Sequence, residues 1–464
     1  MAVKKVGLFV LVMLITGSID SVRNLPATAF FGPALVFFFV LAALFFLLPG
    51  AFVSADLAEA FPEKSGVYQW VKMAFGKKIG FLAVWLQWVN TLVWFPTMLA
   101  FIGGTFAYFI DPALAQNNHF ILAVIVIVFW VVTFINLQGV EVSARFAGIC
   151  TFIGLIIPVL LIIGLSALWL IKGQPLQVQF TPQSFLPDFT NTNNWFSLTA
   201  VMTSCIGIEL TAVHMMNIKD ARQNFPKAMF ISVIIILATM IMGSLAIVMV
   251  VPAKTIELNQ GLVQAMQIFL DDYHLRWLVM PVVAMVLIGS VGELVNWMIS
   301  PTRGLAQATE DHFLPAFMLK TNRHGIAHNI AILQAIVVTI IAMAFLYMPS
   351  VNGSYWLLTA LSTQLYMMMY VLMFIAAIKI KHKFPERVHL IKFLRIKYAL
   401  YIMSVMGVLG CLVTLYIGFV PPTGINIGSP LHYEMLFVGG LFAMILPCLF
   451  FYAYQSRKSA SINN

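Results

Sequence analysis

The chain has 464 residues, of which 61% are hydrophobic and only 9% charged, against about 25% charged in a soluble domain. Together with a mean hydropathy of +0.95, this excludes a cytosolic enzyme, a disordered scaffold and a secreted disulfide domain. The net charge of +9 points to lysine- and arginine-rich cytoplasmic loops of a polytopic membrane protein rather than to a nucleic-acid surface.

Hydropathy predicts twelve spans, at about 6–31, 34–61, 79–109, 119–138, 144–171, 195–217, 227–251, 276–307, 327–348, 353–379, 397–420 and 433–454. Backbone polar groups need partners in hydrocarbon, so an all-α bundle follows. The basic N-terminus leads into an apolar run with no small-residue cleavage site before Pro26, which reads as a retained span rather than a signal peptide. Placing the N-terminus inside assigns 22 of the 26 Lys and Arg to the cytoplasmic side. Only Lys172, Lys254 and Arg276 fall outside, and Arg23 lies within span 1. The expectation is a bacterial inner-membrane protein with both termini cytoplasmic.

Span 1 contains Thr16-Gly17-Ser18-Ile19-Asp20-Ser21, a small, polar stretch that invites a helix break. Two connecting segments are amphipathic. Residues 63–78 place Val67, Trp70, Val71 and Ala74 at helical spacing among lysines, as in a helix lying on the inner membrane surface. Residues 255–274 are similar, on the outer side. Each follows the second span of a five-span block, 6–171 or 195–379. Two five-span blocks have opposite orientations, so these loops belong on opposite faces, as in an inverted-repeat transporter; spans 11 and 12 (397–454) are additional.

Span 6 carries the matching stretch Thr203-Ser204-Cys205-Ile206-Gly207. Unwinding at both places would free N–H groups for a carboxylate and carbonyls for an ammonium, which suits a zwitterionic amino acid. The plainer reading is that these small residues simply allow close helix packing.

Four ionisable groups lie well inside spans: Asp20, Arg23, Glu209 and Glu293. Such groups usually face a cavity or a partner. Asp20 and Arg23 are three apart and would share a face of a continuous helix. They are either a structural ion pair, or Arg23 is a fork for a substrate side-chain carboxylate; the spacing does not discriminate. Glu209 is either a proton-exchanging group or a buried acid bonded to the span-1 backbone. Glu293 lies one turn before Trp297 and lines the same cavity or pairs with a neighbouring helix. Gln87, Asn90 and Asn296 read as helix–helix glue, and His214 as a packing residue. The four cysteines, Cys150, Cys205, Cys411 and Cys448, read as apolar fillers.

Several stretches resemble the amino acid–polyamine–organocation transporter superfamily. SIDSVRNLPATAFFG and FLLPGAFVSADLAEAFPEKSGVYQWVKMAFGKKIGF are similar to its spans 1 to 3, and SCIGIELTAVHMMNIKDARQNFPKAM to its span 6 and following loop. VNWMISPTRGLAQATEDHFLPAFMLKTNRHG and SYWLLTALSTQLYMMMYVLMFIAAIKIK are most similar to its glutamate/γ-aminobutyrate antiporter branch. The resemblance implies the five-plus-five fold with broken helices 1 and 6, alternating access and an amino acid substrate. It aligns the span-1 Gly-Ser-Gly break with Ile19, Asp20 and Ser21, so two family glycines are replaced. It places the span-6 break at Ser204, Cys205 and Ile206, followed by Gly207 and by Glu209 in a coupling or gating role. The substrate-flanking aromatic falls on Trp297 and a gate aromatic on Tyr366. Where proton-coupled relatives carry a span-5 lysine, this chain has Gly154, which favours exchange of amino acids over proton-linked uptake of a neutral one.

No metal-ligand cluster, nucleophile–base constellation or phosphate-cradling loop is legible. The sequence therefore leads to a transporter without cofactor or enzymatic activity. Its expected partners are amino acids, lipid and, as a coupling ion, the proton, with no nucleic acid, and its expected state is a monomer or weak homodimer.

Overall fold

A computed structural model describes residues 7–138, 149–187, 195–210, 212, 218–306, 308, 311–324, 327–386 and 398–463. Among them the regular elements are all helices, with isolated bridge residues such as the pair Thr321 and Ala327. Eleven helical stretches are long and apolar enough to cross a membrane. They are Leu8–Ala29, Gly32–Ala60, Lys77–Ala107, Asn118–Leu137, Ile149–Ile171, Gln223–Val250, Arg276–Leu294, His328–Tyr347, Val351–Lys383, Ala399–Ile417 and Pro430–Arg457. They coincide with spans 1 to 5 and 7 to 12 of the sequence reading. Span 6 consists of the short helix Ser197–Thr203 and a run of turns from 204 to 209. Most of its inner half, His214 included, lies outside the described residues.

Span 1 breaks where its sequence softens. Its first helix, Leu8–Ile19, ends on Asp20, and Asp20 and Ser21 are both extended, with ψ of 123° and 127°. A tight turn over Val22–Asn24 leads into the short helix Leu25–Ala29, with Pro26 in its first turn, where a missing N–H costs nothing. Spans 2 and 5 each carry a π-turn, Ala43–Leu47 and Phe152–Ile156, just ahead of Pro49 and Pro158, whose rings cannot sit in an unperturbed helix interior.

Span 3 is buried along nearly its whole length and packs on spans 8 and 10. Spans 5 and 8 touch backbone to backbone: a Cβ on Gly154 would stand 2.1 Å from the Gly289 Cα. That close approach, typical of small residues in membrane helices, leaves no room at Gly154 for a lysine.

The connecting helix Val67–Phe75 is amphipathic, but its placement corrects the sequence reading. Val67, Trp70, Val71 and Ala74 are buried against spans 3 and 10 rather than turned to lipid. Gly261–Asp272 does the same at the other end, burying Leu262, Met266 and Phe269. Loops assigned to one side of the membrane also meet one another. Lys72 and Lys77 pair with Asp311, whereas Glu257 accepts hydrogen bonds from Gln116 and Asn352 at the opposite end. All four cysteines are buried and free, as fillers should be.

Candidate functional site

The two breaks meet at the centre of the bundle. Gly207 has φ +111°, a backbone shape that glycine alone adopts freely. A Cβ there would lie 2.9 Å from the Ser18 carbonyl oxygen and 3.3 Å from the Trp297 ring. Beside this contact lies a small cavity. Its walls come from both breaks (Ser18, Ile19 and Arg23; Thr203 and Ile206) and from Asn90 and Trp94 of span 3, Glu293 and Trp297 of span 8 and Ser362 of span 10. The Trp94 and Trp297 rings stack with centroids 5.0 Å apart. Apart from half-buried Glu293, these residues are all buried, so the cavity is closed in this conformation.

Arg23 is the cation of this cavity and is only 2% exposed. Its Nη1 donates to Thr97 Oγ1 at 2.7 Å and to the Tyr355 hydroxyl at 3.3 Å. The guanidinium lies 5.2 Å from the Trp94 ring centroid and 5.9 Å from that of Tyr355, a cation–π seat on two aromatic faces. Its buried Nε has no acceptor. The structural ion pair with Asp20 is not formed. The two extended residues at the break shift the helical phase, so a spacing of three no longer places side chains on one face.

Asp20 instead faces a second, smaller cavity behind the span-1 break, walled also by Ser21, Thr151, Gly154, Ser290 and Glu293. Its Oδ2 accepts from Thr239 at 2.5 Å, and its buried Oδ1 has no donor. Ser21 Oγ donates to Glu293 Oε2 at 2.8 Å. Glu293 thus stands in the wall shared by both cavities.

Glu209 lines neither cavity. Its carboxylate accepts from Gln87 Nε2 at 2.9 Å, from the Tyr366 hydroxyl at 2.6 Å and from the Tyr370 hydroxyl. Tyr370 also accepts the Gly207 N–H at 3.1 Å. One of the two sequence alternatives tied Glu209 to the span-1 backbone. Its side-chain donors come instead from spans 3 and 10, and the network holds the inner edge of the span-6 break. Tyr366 belongs to that network and not to a cavity wall. Ser204 caps its own turn by donating to the Val201 carbonyl, and Cys205 is fully buried; neither lines the cavity. Of the candidate residues, Ile19, Arg23, Ile206, Glu293 and Trp297 line the main cavity, Asp20, Ser21 and Glu293 the second, and Gly207 shapes the contact between the breaks.

Sequence reasoning passed over Trp94, Thr97, Tyr355, Ser362 and Tyr370, and treated Gln87 and Asn90 as glue. Asn90 does act as glue, donating to the Ser362 carbonyl and hydroxyl at 2.7 Å, while also lining the cavity. A signal existed. Gln87, Asn90, Trp94 and Thr97 in span 3, and Tyr355, Ser362, Tyr366 and Tyr370 in span 10, recur at helical spacing along otherwise apolar spans, marking one polar face on each. The side chain of Asn296 lies outside the described residues.

A profile of the family described as amino acid permease matches residues 6–442. An uncharacterized transporter of Legionella pneumophila is 37% identical over 448 residues, covering 96% of each chain. Two proteins of Lactococcus lactis named glutamate/γ-aminobutyrate antiporter also match. That of subspecies lactis is 28% identical over 99% of this chain and 92% of its own. That of subspecies cremoris is 30% identical over 73% of this chain and 68% of its own.

Proposed function

The chain belongs to the amino acid permease family, and from that premise we propose that it exchanges amino acids across a bacterial inner membrane by alternating access, with an acidic amino acid such as glutamate as one of the exchanged pair and γ-aminobutyrate as a fitting counter-substrate. Both termini are placed in the cytoplasm, in keeping with the 22 Lys and Arg assigned there.

The observation that carries the acidic substrate is Arg23. It is a guanidinium buried in the cavity wall, held by two hydroxyls and two rings, with an unused Nε donor. Hydroxyls and rings fix its position, and among the described residues it forms no salt bridge, so a carboxylate entering the cavity gains a charge-assisted hydrogen bond. The substrate's α-amino and α-carboxyl groups then meet main-chain carbonyls and N–H groups left without helical partners at the breaks. Trp94 and Trp297 wall the apolar stem. The two glutamate/γ-aminobutyrate antiporters among the relatives support the same pair.

The test is competition by a panel of unlabelled amino acids in proteoliposomes preloaded with glutamate, with and without Arg23→Ala. The variant is expected to lose glutamate affinity by about 10- to 100-fold, the worth of a charge-assisted hydrogen bond, and to lose much less for a neutral amino acid. Equal losses for both would leave Arg23 a structural residue.

A further inference from the structure

Most donors in the wall of the central cavity are spent on the protein itself. Asn90 uses its amide nitrogen on the Ser362 carbonyl and hydroxyl. Ser18 and Thr203 donate to carbonyls of their own helices. Asn24, in the same wall, is different: among the described residues its side chain makes no hydrogen bond. It is only 7% exposed, and a buried amide without a partner is costly. Asn24 ends the tight turn Val22–Asn24 and stands at the N-cap position of Leu25–Ala29. An asparagine there ordinarily has an extended backbone and accepts from an N–H two or three residues on. This one is helical, with φ −82° and ψ −19°, and forms no cap bond. Its backbone is nonetheless pinned: its N–H donates to the Ser21 carbonyl at 3.0 Å, and its own carbonyl accepts from Thr28 Oγ1 at 3.1 Å. The main chain is tied down while the amide is left to the cavity, beside Arg23, whose Nε is also unpaired.

Building on the reading of Arg23 above, we propose that Asn24 is a specificity-determining residue, whose amide nitrogen donates to the substrate's side-chain carboxylate while Arg23 holds the same group. A carboxylate has two acceptor oxygens, and both need donors once they leave water. Arg23 supplies the charge, and the next residue of the same pinned turn supplies a further donor. Selectivity follows from the amide being unsatisfied in the empty cavity. An acidic side chain gives it a charge-assisted hydrogen bond, whereas an apolar one leaves it buried and unpaired. A site built to hydrogen-bond one substrate group rejects the analogue that lacks it for this reason. Trp297 Nε1 is another unpaired donor of the wall, but it is a single N–H on a ring stacked against Trp94. The Asn24 amide offers two hydrogens and can rotate to meet its acceptor.

Competition for labelled glutamate in proteoliposomes of the full chain tests this with two substitutions. Asn24→Leu removes the donor at similar volume, and Asn24→Asp keeps the shape but offers only acceptors when ionised. Because the side chain bonds nothing in the protein, both variants are expected to stay monodisperse in detergent. Asn24→Leu is expected to weaken glutamate by about 10-fold, the worth of one hydrogen bond to a charged group, and a competing neutral amino acid far less. Asn24→Asp is expected to weaken glutamate by about 100-fold or more, since the added carboxylate pairs with Arg23 or repels that of the substrate. A packing role predicts the reverse order, with the isosteric Asn24→Asp the milder change. That reverse order overturns the proposal, as does unchanged glutamate affinity in either variant. Loss of fold in both also overturns it, since the amide would then support the protein rather than the substrate. Arg23→Ala, run alongside, separates the two readings. A selective glutamate loss in Arg23→Ala but not in the Asn24 variants removes Asn24 alone. A selective loss in the Asn24 variants but not in Arg23→Ala keeps Asn24 as the reader of the carboxylate and removes Arg23. A parent protein that does not take glutamate removes both.

Discussion

A single carboxylate shows how this protein uses buried polarity. Glu209 is 1% exposed and gathers donors from spans 3 and 10, so it ties three spans together at the point where span 6 runs as turns rather than regular α-helix. A fully satisfied polar network fixes one arrangement, and a partly satisfied one is costly. Glu209→Gln presents an amide N–H₂ to groups that themselves donate, and is expected to lower stability by about 1–3 kcal/mol. Tyr366→Phe, which removes one donor of three, should cost less. Thermal unfolding in detergent reads both, and equal midpoints for the parent and Glu209→Gln would remove the network from this role. At the same scale, the difference between Asp20 and Arg23 was beyond sequence spacing. Both are visible as intramembrane charges, but two extended residues between helix segments decide that one faces the second cavity and the other the first.

Among the elements, the breaks and the crossings share one cause: places where only small side chains fit. Gly207 lets span 6 approach the Ser18 carbonyl, and Gly154 lets span 5 lie directly on Gly289 of span 8. Gly154→Ala should therefore force the two spans apart and destabilise the fold by about 1–3 kcal/mol, as overpacking does. Gly164→Ala, ten residues along the same span with nothing within 4 Å of the added carbon, is the matched control. A thermal shift of the same size for both would mean that the crossing is not tight in solution. The small, polar runs at 16–21 and 203–207 were legible because they interrupt long apolar stretches. The inward burial of Val67–Phe75 was not, since an amphipathic helix has the same pattern whether its apolar face meets lipid or protein. Only the neighbours, here spans 3 and 10, tell the two apart.

For the whole molecule, the relevant question is what closes the central cavity. At the end assigned to the cytoplasm, Asp311 accepts from Tyr68 at 2.5 Å and from Lys77 at 2.8 Å, and also pairs with Lys72. This joins the loop after span 8 to the helix before span 3. Burial pushes the Asp311 carboxyl up, but Lys72, Lys77 and Tyr68 together hold it down at about 2, below its ordinary 3.8. A depressed carboxyl contributes its full stabilisation above the ordinary value and loses it as pH falls through the depressed one. The latch is therefore engaged throughout about pH 5–8, and any pH dependence of transport in that window arises elsewhere. Asp311→Asn should lower the unfolding midpoint and raise protease access to the Val67–Phe75 helix by similar amounts at about pH 5 and 8. A difference that appears only at one end of the window would contradict this assignment.

The sequence by itself determined that the chain is a helical membrane protein, where its spans fall, where spans 1 and 6 soften, and that four charges lie within the spans. These follow from composition and from the cost of placing polar groups in hydrocarbon, which act residue by residue along the chain. Only the tertiary structure decided that the two breaks touch, that Arg23 rests on Thr97, Trp94 and Tyr355, that Glu293 divides two cavities, and that Glu209 lies outside both. Those outcomes depend on the rotation of each helix about its axis and on the phase lost at a break. Neither is recorded in one strand of sequence, because each is set by the shapes of helices that meet only after the chain has folded.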